Sequence, residues 1–183
     1  MRAYLVIFFV ILISILSSCT IVKPFVPNMI SSDASTFSDY THLSHSDQSD
    51  LLLEQILTAL EDKDTDSLKS LFALTVTTSV LRFDGDMEEL MDFYRGELVE
   101  YKRYGPGSHA VKESGIHTKE IYVSYDIVTT QGEYRLAFLF CVANSEDATC
   151  LGLHSLYIVE AKCSDMKYAY WGGEDWLPGI NID

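Results

Sequence analysis

The sequence predicts an α+β domain whose N-terminal helices pack on a curved antiparallel sheet. Three observations carry this expectation. Apolar residues recur at helical spacing from Leu51 to Tyr94, and from Glu97 onward the period falls to two. Helices and strands also come as two successive blocks rather than in alternation, an order that places the helices on one face of the sheet. Residues 47–183 form one domain by length, able to bury about two-thirds of its unfolded surface without disulfide staples.

The first helix is written in LLLEQILTALEDKD, where Leu53, Ile56, Leu57 and Leu60 follow the i, i+3, i+4, i+7 pattern. Asp47, Ser49 and Asp50 offer capping oxygens and negative charge at its start. A second, short helix is expected in DTDSLKSLFAL, with Leu68, Leu71 and Phe72 on one face and Asp64 or Thr65 as cap, so the two make a hairpin. FDGDMEELMDFYRG predicts a third helix. Asp86 and Glu89 have capping-box spacing there, Leu90, Met91 and Tyr94 can face inward, and Gly96 suits the stop.

Glu97–Gly105 reads as a strand ahead of the Gly105-Pro106-Gly107 break. In KEIYVSYDIV, Ile121, Val123, Tyr125 and Ile127 share one face, and Glu120, Tyr122, Ser124 and Asp126 the other. A turn over Thr130–Glu133 leads into EYRLAFLFCVA, apolar on both faces and therefore central. After the polar loop NSEDAT, CLGLHSLYIVEAK supplies a third long strand, completing an antiparallel meander. Tyr168, Tyr170, Trp171 and Trp176 in the closing stretch are expected to pack over a sheet edge or a pocket mouth.

The amino-terminal residues carry a different message. Met1-Arg2 precede fourteen residues, Ala3–Leu16, interrupted only by Ser14. As a helix these would reach about 21 Å, short of the ~30 Å hydrocarbon core, so they read as a secretory leader. Leu16-Ser17-Ser18-Cys19 resembles the lipobox of bacterial lipoproteins. That resemblance implies cleavage after residue 18 and diacylglyceryl attachment to the Cys19 thiol. Residues 19–46, with Pro24, Pro27 and many serines, read as a tether of roughly 29 Å reach, and residues 1–18 as the leader.

The formal charge of -14 becomes one unit more negative if Arg2 leaves with the leader. No Lys/Arg cluster offers a footprint for a phosphate backbone, which excludes nucleic acid as the expected partner. The same charge is repelled by anionic lipid, so the domain is expected to stand off the membrane that anchors it. Beyond Cys19 the chain has Cys141, Cys150 and Cys163. The first two flank a hairpin loop and can face each other, and none makes a C-x-x-C pair.

The phrase ILTALEDKDTDSLKSLF is similar to the opening helix pair of the nuclear transport factor 2-like, or cystatin-like, superfamily. More narrowly, the lipobox, the Tyr134-Arg135-x-x-x-Leu139 strand, Tyr170-Trp171-Gly172 and Pro178-Gly179-Ile180 resemble an uncharacterised family of Gram-positive surface lipoproteins known only as a domain of unknown function. The resemblance implies a cone in which the bent sheet wraps the helices and can leave a pocket. It implies no activity, because that superfamily hosts isomerases, dehydratases, immunity proteins and binding domains alike.

Two uses of such a pocket are expected. In the first, a non-enzymatic domain binds a small apolar molecule or a partner protein through aromatic side chains, with Tyr94, Tyr122, Tyr157, Trp171 and Trp176 as candidates. In the second, Asp126 serves as a base beside Tyr94, Tyr122 or Tyr157, in the manner of the isomerase-like members. A third possibility is an interaction module that homodimerises through the open sheet face. Asp84, Asp86 and Glu88 tempt a calcium reading, but the EF-hand's sixth and twelfth places hold Glu89 and Arg95. His42 and His45 lie in the tether and His109, His117 and His154 are scattered, so neither a metal nor a cofactor is expected.

Overall fold

A computed structural model of the chain describes residues 43–104, 109–114, 118–163 and 176–182. Cys19, the leader, the tether up to residue 42, the Gly105-Pro106-Gly107 break and Tyr168, Tyr170 and Trp171 lie outside the described residues. Four helices, α1 (His45–Asp62), α2 (Thr65–Ser70), α3 (Leu74–Ser79) and α4 (Phe83–Phe93), precede the strands. These are β1 (Leu98–Arg103), β2 (His109–Ser114), β3 (Thr118–Thr129), β4 (Glu133–Asn144), β5 (Gly152–Glu160) and β6 (Gly179–Ile182). The result is a mixed α+β fold with the helices packed on a mostly antiparallel, curved sheet.

The helix starts differ from those the sequence predicts. Helix α1 begins earlier, at His45, because Ser44 is the cap and its hydroxyl accepts from the Asp47 N–H at 3.2 Å. Asp50, expected near the cap, lies a turn further in and is used elsewhere. Asp64 caps α2 through the Ser67 N–H at 2.9 Å. Helix α3 is additional to the three predicted; LTVTTS carries only one buried apolar residue, Val76, and so shows no period to read. The expected capping box of α4 does not form, since Arg82 precedes the helix without a side-chain cap. Gly96 does not end α4, which stops at Phe93; its positive φ of 85° serves the turn into β1.

At the other end of α1, Lys63 adopts a left-handed conformation, φ 55°. Its ammonium donates to the Met91 and Tyr94 carbonyls, the latter at 2.6 Å. One residue thereby closes α1 and also neutralises the carbonyl end of α4.

The sheet order is β1-β3-β4-β5-β6, with β2 also paired to β3. Strand β1 takes one half of a β3 edge (Arg103 opposite Tyr125) and β2 the other (His109 opposite Val123). The meander β3-β4-β5 is antiparallel as predicted, whereas β6 joins β5 in parallel. Neither β2 nor β6 was expected, because both are short and neither alternates over enough residues to announce a strand. Register shifts at Val99, Val142 and His154 add an extra residue to β1, β4 and β5, and such bulges bend a sheet.

The helix-facing side of the sheet is packed with Ile121, Val123, Tyr125 and Ile127 of β3, Phe138 and Phe140 of β4, and Leu156 and Ile158 of β5. Against them lie Leu53, Ile56 and Leu60 of α1, Leu68 of α2 and Leu90 of α4, all fully buried. Large side chains thus occupy the space between helices and sheet. Among the described residues no helix is long and apolar enough to cross a membrane. The thiols of Cys141, Cys150 and Cys163 are free.

Between α2 and α3 the chain is stitched to the start of β5: Leu153 N–H donates to the Leu71 carbonyl at 2.8 Å and its carbonyl accepts from Ala73 at 2.9 Å. That approach depends on Gly152, whose φ is 117° and where an added Cβ would meet the Leu71 oxygen at 2.8 Å and the Ala73 nitrogen at 2.9 Å. Backbone on both sides leaves no room to yield. Gly152→Ala is expected to lower the unfolding free energy by roughly 2–4 kcal/mol in urea titration; an unchanged midpoint would show that the helical layer is held without this seam.

Candidate functional site

The side of the sheet turned away from the helices is built from the alternate residues of the same strands. Cross-strand pairing sets them in rows: Tyr122–Leu139–Ser155, then Ser124–Ala137–Tyr157, then Asp126–Arg135–Val159. Ala137, Ser155 and Val159 are completely buried and Leu139 nearly so, although none belongs to the helix-side core. A second apolar layer therefore exists on this face.

Trp176 is its centre. The indole lies 5.7 Å from the Tyr122 ring and 5.3 Å from the Tyr157 ring, edge-on to the latter at 87°. Tyr122 and Tyr157 stand in adjacent rows on opposite sides of β4, so an indole touching both bridges across β4 near Ala137 and Leu139. The Tyr157 hydroxyl accepts from the Leu177 N–H at 2.7 Å, fixing the main chain just past the indole. Burial raises the pKa of Tyr157, opposed by this bond; burial and then Glu120 raise that of Tyr122. Both phenols are neutral donors at physiological pH. Three of the five predicted aromatic candidates thus meet on one face.

Tyr94 does not join them. It is 1 % exposed on the helix side, its ring 5.4 Å from Tyr134. Trp171 lies outside the described residues.

Asp126 shares the outer face but is committed: its carboxylate accepts from Arg135 Nε at 3.1 Å, and the Arg135 guanidinium stacks 3.3 Å over the Tyr104 ring. The sheet separates Asp126 from Tyr94, and Tyr122, four residues along the same strand, is about 13 Å away by strand rise. Tyr157 lies two strands from Asp126, in the adjacent row, and among the described contacts the carboxylate is held by Arg135. Asp84 is paired with Lys69 at 2.6 Å and Asp86 with Arg82 at 3.6 Å. Among the described residues no three His, Cys, Asp or Glu side chains converge as metal ligands.

A second polar cluster escaped the sequence reading. Asp50 of α1 accepts from the Tyr125 hydroxyl at 2.7 Å and from Arg103 Nη2 at 2.9 Å. One turn on, Glu54 accepts from the Tyr101 hydroxyl at 3.0 Å. Arg103 also donates to the Ser46 carbonyl at 2.7 Å and to its hydroxyl. The legible signal was the i, i+4 spacing of Asp50 and Glu54 facing Tyr101 and Arg103, which alternate on β1. The arginine neutralises Asp50 and the phenols satisfy both acids, so the cluster clamps α1 to the sheet.

Residues 55–161 match the sequence family described as Domain of unknown function (DUF5104), more than half of the chain, and the protein belongs to that family. The matched span runs from the second half of α1 to just past β5, so Asp50, Glu54 and Trp176 fall outside it. No curated protein matches the sequence.

Two outcomes are expected of these groups. Burial and the bond to Glu54 push Tyr101 up to about 12, and burial with the bond to Asp50 raises Tyr125 as well. A raised phenol favours the fold while it stays neutral, so stability should hold up to about pH 10 and fall between pH 10 and 12. Urea unfolding across that range reads the effect, and Tyr101→Phe should flatten part of the decline. For the outer-face pair, an Asp126→Ala/Arg135→Ala double-mutant cycle should give a coupling of about 1 kcal/mol; a coupling near zero would mean that Asp126 does not hold Arg135 in place.

Proposed function

We propose that this member of the DUF5104 family is a lipid-anchored, extracytoplasmic binding domain of a bacterial membrane. It takes a small apolar ligand, or an apolar segment of a partner protein, on its outer sheet face and catalyses no reaction. The observation that carries this reading is the meeting of Tyr122, Tyr157 and Trp176, from three distant stretches of sequence, on the sheet face where Ala137 and Leu139 separate the two tyrosines. Aromatic groups with a polar tip give large contact area at low entropic cost.

The lipobox and its short apolar leader support the anchor. Two acyl chains hold a protein stably where one is marginal, since each buried CH₂ contributes about 0.8 kcal/mol. Helices on one face of a bent antiparallel sheet are compatible with the nuclear transport factor 2-like cone. With large side chains filling the helix side, binding is better served by the outer face. The commitment of Asp126 to Arg135 favours binding over proton-transfer catalysis.

Both halves are testable. In a bacterial host, an alkyne-palmitate label should appear on the peptide beginning at Cys19 and vanish in Cys19→Ala; an unlabelled wild-type protein would refute the anchor. For binding, the full chain in lipid nanodiscs, with empty discs subtracted, is titrated with N-phenyl-1-naphthylamine. Tyr122→Ala or Trp176→Ala should weaken the probe at least about tenfold. Binding that survives both substitutions would place the site elsewhere.

A further inference from the structure

The aromatic face contains one group that the binding reading leaves unused. Ser155 is 0 % exposed and its Oγ has no hydrogen-bond partner. It stands beside Leu139 in the row that begins with Tyr122, and two residues before Tyr157 on the same face of β5. Ser155 thus shares its row with Tyr122 and its strand face with Tyr157, the two rings that the Trp176 indole touches. A buried hydroxyl without a partner is destabilising, and native proteins seldom keep one unless another molecule satisfies it.

The surroundings define what could satisfy it. In its own row the side chains are Tyr122 and Leu139, with Gly179 of β6 opposite; the adjacent row holds Ser124, Ala137, Tyr157 and Asn181. None carries charge at neutral pH. Among the described residues, the ionised groups that flank these rows on β3 and β4 are Glu120, whose proximity raises the Tyr122 pKa, and the paired Asp126 and Arg135. An anion would meet Glu120. A cation would be buried without a counter-charge, at a cost that a neutral molecule avoids.

Resting on the proposed binding role of this face, we infer that the Tyr122–Tyr157–Trp176 cluster is a site for a small, neutral, planar or aliphatic molecule bearing a single hydrogen-bonding group, and that Ser155 is its specificity-determining residue. The rings supply affinity for the apolar body. Ser155 Oγ donates to, or accepts from, the one polar group. A ligand lacking that group leaves the hydroxyl unpaired and is selected against.

The experiment compares 2-naphthol with naphthalene, which share shape and differ by one hydroxyl, on the full chain in nanodiscs with empty discs subtracted. The wild type should prefer 2-naphthol at least about tenfold, as a hydrogen-bonding site does over an analogue lacking the group. Ser155→Ala should erase the preference while keeping naphthalene affinity. Without ligand it should melt a few degrees higher, because the orphan hydroxyl is gone. Equal wild-type affinities, or a preference that survives Ser155→Ala, would overturn the role of Ser155 and leave the aromatic binding face standing. Failure of both probes to bind would overturn the two together. If Ser155→Ala does not fold, Ser155→Cys, similar in shape but a weaker hydrogen-bonding group, takes its place and should reduce the preference; an undiminished preference in Ser155→Cys would overturn the role of Ser155.

Discussion

Burial of β4 on both faces is the constraint on which the other elements depend. From Leu136 to Val142 every side chain is buried. No water reaches the main chain between them, so its N–H and C=O groups must be paired on both edges, which fixes β3 and β5 as neighbours. The two faces then make different demands. Leu136, Phe138 and Phe140 need a thick helical layer, whereas Ala137 and Leu139 on the opposite face lie between Tyr122 and Tyr157, the two rings that Trp176 touches. The division of the domain into a helix-packed side and an aromatic outer side is already present in the alternation of that one strand.

Helix α1 shows how directionless and directional forces share the work. Its apolar stripe favours contact with the sheet but fixes no axial position, since hydrophobic attraction scales with area alone. Position comes from the ends. Near the amino terminus Asp50 and Glu54 receive the Tyr125 and Tyr101 hydroxyls, and at the carboxyl terminus Lys63 grips the last carbonyls of α4. Sliding the helix by one turn would preserve much of the apolar burial and break all of these bonds.

Periodicity made most of the fold legible. Leu53, Ile56, Leu57 and Leu60 announced α1, and the strict alternation of Ile121 to Ile127 announced β3 with its correct inward face. The elements that were missed are those whose cause is not local. Helix α3 and strand β6 are short and exist because tertiary partners hold them, as when Val80, at the end of α3, packs within 3.2 Å of a Cβ placed on Gly179. Capping by Ser44 rather than Asp47 is a choice among nearly equivalent oxygens that spacing does not rank. At the candidate site, Tyr122 and Tyr157 were recognisable as outward aromatics on strands. The Arg135–Asp126 pair depends on strand register, and the isolation of Ser155 on what packs above it; a linear reading carries neither.

The parallel pairing of β6 with β5 has a consequence for variation. Antiparallel neighbours can be joined by tight turns whose length is set by geometry, whereas a parallel pair needs a longer return, here from Glu160 at the end of β5 back to the level of Ser155, where Gly179 pairs. Closing such a return depends only logarithmically on its length: doubling it adds about 0.6 kcal/mol. The length of the connection between Glu160 and Gly179 is therefore not set by the geometry of a tight turn, and Trp176, three residues before β6, owes its place against Tyr122 and Tyr157 to the pairing of that strand with β5.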